Sequence, residues 1–346
     1  MTWKTAREEQ NRKQEGYSTM NSGSLPQTGP SDVPAQPQQW RQIEAWRQLL
    51  AECGLKASRG RVHGLRVATL RLQAELEYWV GARKPDIEAA RVAKRWNKQA
   101  EKLRRALRLV RGADVYLAKL ASLRVSLAGP GDYQPRCSRH CVSQIVDFES
   151  KLRRVRRSAA KKLMAAIEER RERLDRLSKE MEAALAPQMQ MAADRAEGAV
   201  AGLIAGLDAE FPELNGDSLH LFRKRIKKVR YLADLCAAAD SQAARQAAML
   251  RKMQVAAGEW HDWDTLARKA ERRLSGRNQG DDLVELLGTL AAEALQKALS
   301  LCRNYKALLL KHGAGQEAPR QAVVQKLPVQ RAEPVAATEN ENTDCA

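Results

Sequence analysis

The chain has 346 residues, a formal net charge of +18 at pH 7 and a sequence pI near 9.9. So basic a protein seeks polyanions or an anionic surface. Aromatic residues make up only 5%, which argues against a β-rich core, and no uninterrupted apolar run reaches the roughly 18 residues of a membrane-spanning helix.

The charge is not spread evenly. Residues 1–38 hold four basic and four acidic side chains, and residues 313–346 hold three basic and five acidic. Residues 17–38 (YSTMNSGSLPQTGPSDVPAQPQ) are rich in Pro, Ser, Gly and Gln, and the C-terminal stretch has a similar polar character. Neither buries enough apolar surface to offset the entropy of ordering, so disordered tails are predicted over 1–38 and 313–346. The opening MTWKTAREEQNRKQEG lacks the apolar segment of a secretory signal, and the six cysteines (Cys53, Cys137, Cys141, Cys236, Cys302, Cys345) are scattered. Both features predict a reduced, cytoplasmic compartment.

Between the tails the pattern is helical throughout. Helices are predicted at 40–53, 58–81, 86–126 with a bend or break near Gly112, 139–186, 188–208, 217–239, 241–259, 262–275 and 281–311, with Pro85, Pro130, Pro135, Pro187 and Pro212 marking breaks. Leu65, Leu72, Leu76 and Trp79 recur at steps of seven, four and three, as one helix face requires. The loop 127–138 (LAGPGDYQPRCS) separates two long elements.

The chain also repeats itself. VHGLRVATLRL from Val62 matches LHLFRKRIKKV from Leu219 when the histidines are aligned, which pairs Arg66 with Arg223 and Arg71 with Lys228. RGADVYL (Arg111 to Leu117) then resembles HDWDTLA (His261 to Ala267) at nearly the same separation. Two related halves are predicted, 39–187 and 188–312.

The stretch LHLFRKRIKKVRYL, 219–232, places six Lys or Arg between Arg223 and Arg230 without one acid. At about 100° per residue, His220, Arg223, Lys227 and Arg230 fall in a stripe about 80° wide and about 15 Å long, with Lys224 and Lys228 at its other margin. Like charges one turn apart destabilise a helix by a few tenths of a kcal/mol per pair. The ordinary reading is a solvated basic face; a stripe of one sign whose repulsion is relieved by a bound polyanion fits better, because no acid is interleaved before Asp234. The first half carries a paler copy, with His63 and Arg66 followed by Leu70 and Gln73 on the same stripe and Arg71 beside it. The 220–230 helix should therefore carry more of the binding than the 63–73 helix. Two further series, Lys102, Arg105, Arg108 and Arg111, and Arg153, Arg157 and Lys161, either line the same groove or face water. Asp114 stands three residues after Arg111 and is a candidate to hold its guanidinium, or else an ordinary surface pair.

These paired segments, each followed by an element such as LRRALRLVRGADVYL or LRKMQVAAGEWHDWDTL, resemble the CHAD family, the histidine-containing α-helical domains. The resemblance covers about residues 40–312 and rests on the HxxR signature occurring twice. It implies an all-α fold of two four-helix bundles related by an approximate two-fold axis, whose basic helices converge on a central cavity that binds inorganic polyphosphate. Carried over by position, the ligand-facing residues are His63, Arg66 and Arg71 in one half and His220, Arg223, Lys227, Lys228 and Arg230 in the other. Lys102, Arg111 and Lys252 extend them, and Arg105, Arg108, Arg157 and Lys224 complete the expected site. Leu70, Gln73 and Gly112, the last where an acid is more usual before the Asp, depart from the family pattern. Some members carry a triphosphate-tunnel domain that supplies catalysis; the 38 polar residues before the first helix are too few for one. A stand-alone binder is implied, not an enzyme, cytoplasmic and directed to polyphosphate granules, with no cofactor or metal.

Polyphosphate carries charge at every repeat and no bases, so its binder needs Lys and Arg rather than the stacking platforms of a single-strand nucleic-acid groove. Weaker nucleic-acid binding is the second reading. A neighbouring polyanion favours charged histidine, so binding is expected to tighten as pH falls through the histidine range. Catalytic use of His63, His140, His220, His261 or His312 is set aside: His63 has no acid within four residues to orient it, and His220 has only Asp217, three residues before it. CSRHC (Cys137, His140, Cys141) offers three metal ligands where structural zinc takes four, HDWD is too short for a metal site, and no GxxxxGK[ST] loop occurs. The long helix 139–186, with alternating charges from Glu168 onward, suits a solvated face or a partner helix, and oligomerisation is left open.

Overall fold

A computed structural model describes residues 38–81, 87–128, 139–189, 193–236, 242–274 and 281–313. The predicted tails lie outside this set, apart from the helix ends at Gln38 and Gly313. Among the described residues there are eight helices and no strand. They are α1 (Gln38–Leu55), α2 (Arg59–Gly81), α3 (Ile87–Ala128), α4 (Arg139–Met189), α5 (Ala193–Glu210), α6 (Gly216–Cys236), α7 (Gln242–Leu274) and α8 (Asp281–Gly313). The chain divides into Met1–Arg41, of which only the opening of α1 is described, and Gln42–Ala346, which holds everything that follows.

Three boundaries differ from those expected. The separate helices 241–259 and 262–275 are one helix, α7, because Met253, Ala257, Trp260, Leu266 and Ala270 are all buried along it; the packing outweighs the roughly 1 kcal/mol that Gly258 costs inside a helix. The break near Gly112 is likewise absent from α3, whose Val110 and Ala113 are both buried. α4 runs beyond Pro187 to Met189.

Local chemistry sets where the two signature helices begin. Ser58 caps α2, accepting from the Arg61 N–H at 3.4 Å. Asn215 and Ser218 cap α6 reciprocally: the Asn215 side chain accepts from the Ser218 N–H and the Ser218 hydroxyl from the Asn215 N–H, both at 2.9 Å. From α8, Arg303 donates to the Leu214 carbonyl and Lys306 to the Phe211 carbonyl, fixing the approach to α6.

In the first half Trp46 of α1 lies edge-on to Trp96 of α3 at 5.4 Å and donates to Thr69 of α2 at 3.0 Å. Arg47 ties α1 to α4 through Glu182 at 2.7 Å. In the second half Phe211 and Phe222 pack edge to face at 5.4 Å within a core that draws on α5, α6, α7 and α8. Leu65, Leu72 and Leu76 are buried as their spacing predicts; the Trp79 side chain lies outside the described set. The halves meet where α2 packs on α6, α3 on α7 and α4 on α8, and a shared apolar cluster joins Leu120, Phe148, Leu266 and Leu286.

Candidate functional site

The contacts between α2 and α6 are reciprocal. Lys228 of α6 meets Glu77 of α2 at 2.6 Å, and Arg71 of α2 meets Asp234 of α6 at 4.0 Å. In the histidine alignment Arg71 is the counterpart of Lys228 and Glu77 of Asp234, so each half reaches into the other as a two-fold relation between these helices requires. A second correspondence lies inside the halves. Arg104 of α3 donates to Gln73 of α2 at 2.9 Å, and Arg230 of α6 donates to Gln254 of α7 at 2.9 Å. These positions are also counterparts, with arginine and glutamine exchanged.

Around this seam a cationic cluster assembles from four helices. Arg66 from α2 lies within the field of Arg104 and Arg108 of α3 and of Tyr231 and Asp262 from the other half. Arg223 of α6 feels Arg66 and Asp262, and Arg111 of α3 feels Arg59, Asp262 and Arg66. Burial first, and like charge after it, pushes all three guanidinium pKa values down from their ordinary value. Lys227 responds most: burial, then Arg223 and Arg66, pushes its ammonium down to about 7.

The cluster's cations are unpaired. Among the described residues the side chains of Arg66, Arg108, Arg111, Arg223 and Lys227 make no hydrogen bond or ion pair, and the buried Arg223 Nε has no acceptor. Of the cations around them, Lys228 pairs with Glu77, Arg251 with Asp234 and Lys119 with Glu259 at 2.5 Å, whereas Lys224 and Arg59 have no partner among the described residues. Arg108 is exposed and the other four are half-buried; buried polar groups are normally satisfied, and in this set the Arg223 Nε is the buried donor that is not.

Two histidines line the second half of the cluster, His220 and His261, with ring centroids 5.1 Å apart. Burial, then Arg223 and the neighbouring His220, holds His261 at about 3. His63 is reached by solvent yet hemmed in by protein; burial, Arg111, Arg66 and Arg59 push it down to about 4. His220 is lowered by burial and by Lys224 and Arg223, against the pull of Asp264. The rings are therefore neutral donors at neutral pH until an anion arrives. Asp262 is the acid that recurs as a neighbour of the central cations, and burial raises its pKa in spite of Lys119 and Arg223. Its counterpart in the first half is Gly112.

The predicted residues sort by helix face. His63, Arg66, Arg108, Arg111, His220, Arg223 and Lys227 come together, with Lys224 at the rim. Arg230 is 6% exposed and held by Asp234 at 2.8 Å and by Gln254, with its guanidinium over the Tyr231 ring. Arg71 and Lys228 form the cross-half ion pairs above. Lys102 and Arg105 are exposed: they stand about 180° and 120° around α3 from Arg111, and Arg105 pairs with Glu101 at 2.8 Å. Lys252, nine residues before His261 and so on the opposite face of α7, lies over Tyr305. Arg157 is exposed on α4.

Sequence reasoning passed over Arg104, Arg59, Asp262 and Arg156. Arg104 was within reach, since it lies seven residues before Arg111 and hence on the same face. Asp114 takes Arg156 as its hydrogen-bond partner at 3.0 Å rather than Arg111, and Arg156 also donates to the Ala57 carbonyl at 2.8 Å. In CSRHC, Cys141 is buried and disulfide-bonded, which removes it as a thiolate ligand and departs from the reduced cysteines expected from their scatter; Cys137 and the His140 side chain lie outside the described residues, as does the His312 side chain. A groove of about 560 Å³ between α3 and α4, lined by Glu88, Arg95 and Glu180, is a separate feature: its α3 residues lie roughly 24 to 35 Å along the helix from Arg111 at about 1.5 Å per residue, and its charges pair with one another.

Fold and site together define an all-helical protein with a cation cluster gathered from α2, α3, α6 and α7. The family model for the CHAD domain matches residues 38–271, and the chain belongs to the CHAD domain family. Its fold is similar to the crystal structure of the CHAD domain from the plant Ricinus communis, with a TM-score of 0.56 at 16% identity over 81% of this chain and 90% of that one. It is also similar to PptA from Streptomyces chartreusis, with a TM-score of 0.50 at 15% identity over 78% of this chain and 98% of that one. The search of curated proteins finds no match. No helix among the described residues is long and apolar enough to cross a membrane.

Proposed function

We propose that this protein binds inorganic polyphosphate at the seam between its halves, without turning it over, and is carried by that ligand to polyphosphate granules in the cytoplasm. The observation that carries the reading is the set of unpaired cations, Arg66, Arg108 and Arg111 from one half and Arg223 and Lys227 from the other. Arginine forks suit phosphate oxygens, and the lysine adds a point charge. Family membership supports the same ligand class.

Nucleic acid is the second reading, favoured by the net charge alone. The rings around the cluster speak against it: Tyr231 and Trp260 are 5% and 7% exposed, and the half-buried Trp263 and Tyr116 already lie under Lys119 and Lys269 at 4.1 and 5.7 Å, so none presents an open face for base stacking. Salt dependence does not separate the two ligands, because both release counterions. Titration with long-chain polyphosphate and with single-stranded DNA at physiological salt, followed by competition, does. Polyphosphate is expected to bind and to displace DNA; DNA that resists excess polyphosphate overturns the reading. Chain shortening in the presence of added divalent metal would overturn the non-enzymatic part.

A further inference from the structure

α4 changes character along its length. From Glu168 onward its cations have acids for neighbours, as in Arg170 with Glu169 and Lys179 with Asp175 at 2.8 and 2.9 Å. Between Glu149 and Glu168 there are seven Lys or Arg and no acid. Arg156 points inward in this stretch, flanked by the buried Leu152 and Leu163. Around the helix from it, at about 100° per residue, Arg153, Arg157, Lys161 and Arg154 stand about 60°, 100°, 140° and 160° away. They form a fan from the edge of the core out to solvent, about 12 Å long from Arg153 to Lys161. Arg153 is tied to Glu149 at 3.2 Å. Arg154, Arg157 and Lys161 are exposed and without an ion pair or hydrogen bond among the described residues.

The root of this fan adjoins the central cluster. Arg156 is bonded to Asp114, one turn beyond Arg111, and to the carbonyl of Ala57, two residues before Arg59. The Arg59 charge is felt by both His63 and Arg111. Cations thus continue from Arg111 through Arg59 and Arg156 to the α4 surface. Like charges at Arg153, Arg157 and Lys161 repel at each i, i+4 step; Glu149 offsets Arg153, and among the described residues no acid pairs with Arg157 or Lys161.

We propose that Arg154, Arg157 and Lys161 form an outer subsite that holds a polyphosphate chain where it leaves the central cluster, so that the protein prefers long chains to short ones. This rests on the polyphosphate reading. A short oligophosphate fills the cluster alone; a long one also lies along α4. The Arg and Lys head groups grip phosphate oxygens and need no base or acyl chain.

The test compares the wild-type chain with the triple variant Arg154→Gln, Arg157→Gln, Lys161→Gln, its fold checked by far-UV circular dichroism, in titrations with tripolyphosphate, with long-chain polyphosphate and with single-stranded DNA. Long-chain affinity is expected to fall at least about tenfold, and the slope of log affinity against log salt by about 2, at roughly 0.7 per lost phosphate contact, while tripolyphosphate binding stays unchanged. Unchanged long-chain binding overturns the subsite, and equal loss for both ligands reduces it to a general field. A loss confined to single-stranded DNA overturns it in favour of a nucleic-acid surface. Failure of the parent reading is seen separately, as a wild-type chain that binds neither phosphate.

Discussion

Helices α2 and α6 begin from one pattern, a histidine with an arginine three residues on, and diverge at the next two inward positions, where α6 has Lys227 and Arg230 and α2 has Leu70 and Gln73. By charge count α6 is the stronger wall by two cations. The structure makes that difference smaller. Arg230 is spent on Gln254 and Asp234 inside the second half, while Gln73, the uncharged counterpart, draws Arg104 toward the seam from α3. What remains of the asymmetry is Lys227 against Leu70, together with the histidine pair and the acid Asp262 on the α6–α7 side. A cation on the inward face is available to a ligand only if no carboxylate or amide in its own half takes it first.

The largest effect is expected when the α6 wall is inverted. Arg223→Glu with Lys227→Glu removes two charge-assisted contacts worth about 1.5–3 kcal/mol each and adds repulsion, so polyphosphate affinity in titration calorimetry should fall more than about a hundredfold with helicity intact. Unchanged affinity in the folded variant would remove the seam as the site. Next comes equalising the two walls. Lys227→Leu, which copies Leu70, should cost about tenfold in affinity, and Leu70→Lys in that background should restore part of it; loss without any recovery would mean that the halves are not interchangeable at this position.

The pH dependence is a subtler discriminator. Lys227 sits at about 7 in the free protein and is raised again by a bound polyanion, so binding takes up a proton above neutrality. Affinity is then fully expressed below pH 7 and declines as pH rises above it. Lys227→Gln should flatten that decline between pH 7 and 9. His63 and His261, at about 4 and 3 when free, add a further tightening only on the acid side, so the expected rise through the ordinary histidine range shifts toward the values they adopt with ligand bound. The smallest change in binding should come from Arg230→Met, which removes a residue held inside the second half. It should lower stability to urea by about 1–3 kcal/mol and leave polyphosphate affinity within about threefold; a loss as large as that for Arg223 would return Arg230 to the site.

Much of the fold was legible because it rests on local rules. The long apolar faces and the break at Pro212 are properties of adjacent residues, although Pro187 did not end α4, and the spacing of His220, Arg223 and Lys227 fixes their common face on any helix. The continuity of α7 was not legible, since Trp260 and Ala257 become core only when neighbouring helices cover them. Arg104 and Arg105 stand side by side in LRRALRL and look equivalent. Their 100° separation sends one to Gln73 at the seam and the other to Glu101 at the surface.

The sequence by itself determined that this chain is helical, internally repetitive and strongly basic, because periodicity, repetition and charge sign are all written along one strand of residues. Which cations stay unpaired was decided only by tertiary structure. Glu77 captures Lys228 between helices far apart in the chain and Asp114 captures Arg156 between the neighbouring α3 and α4, whereas Asp234 takes Arg230 one turn away on the same helix. Where each carboxylate arrives settles which guanidinium and ammonium groups are left for a ligand.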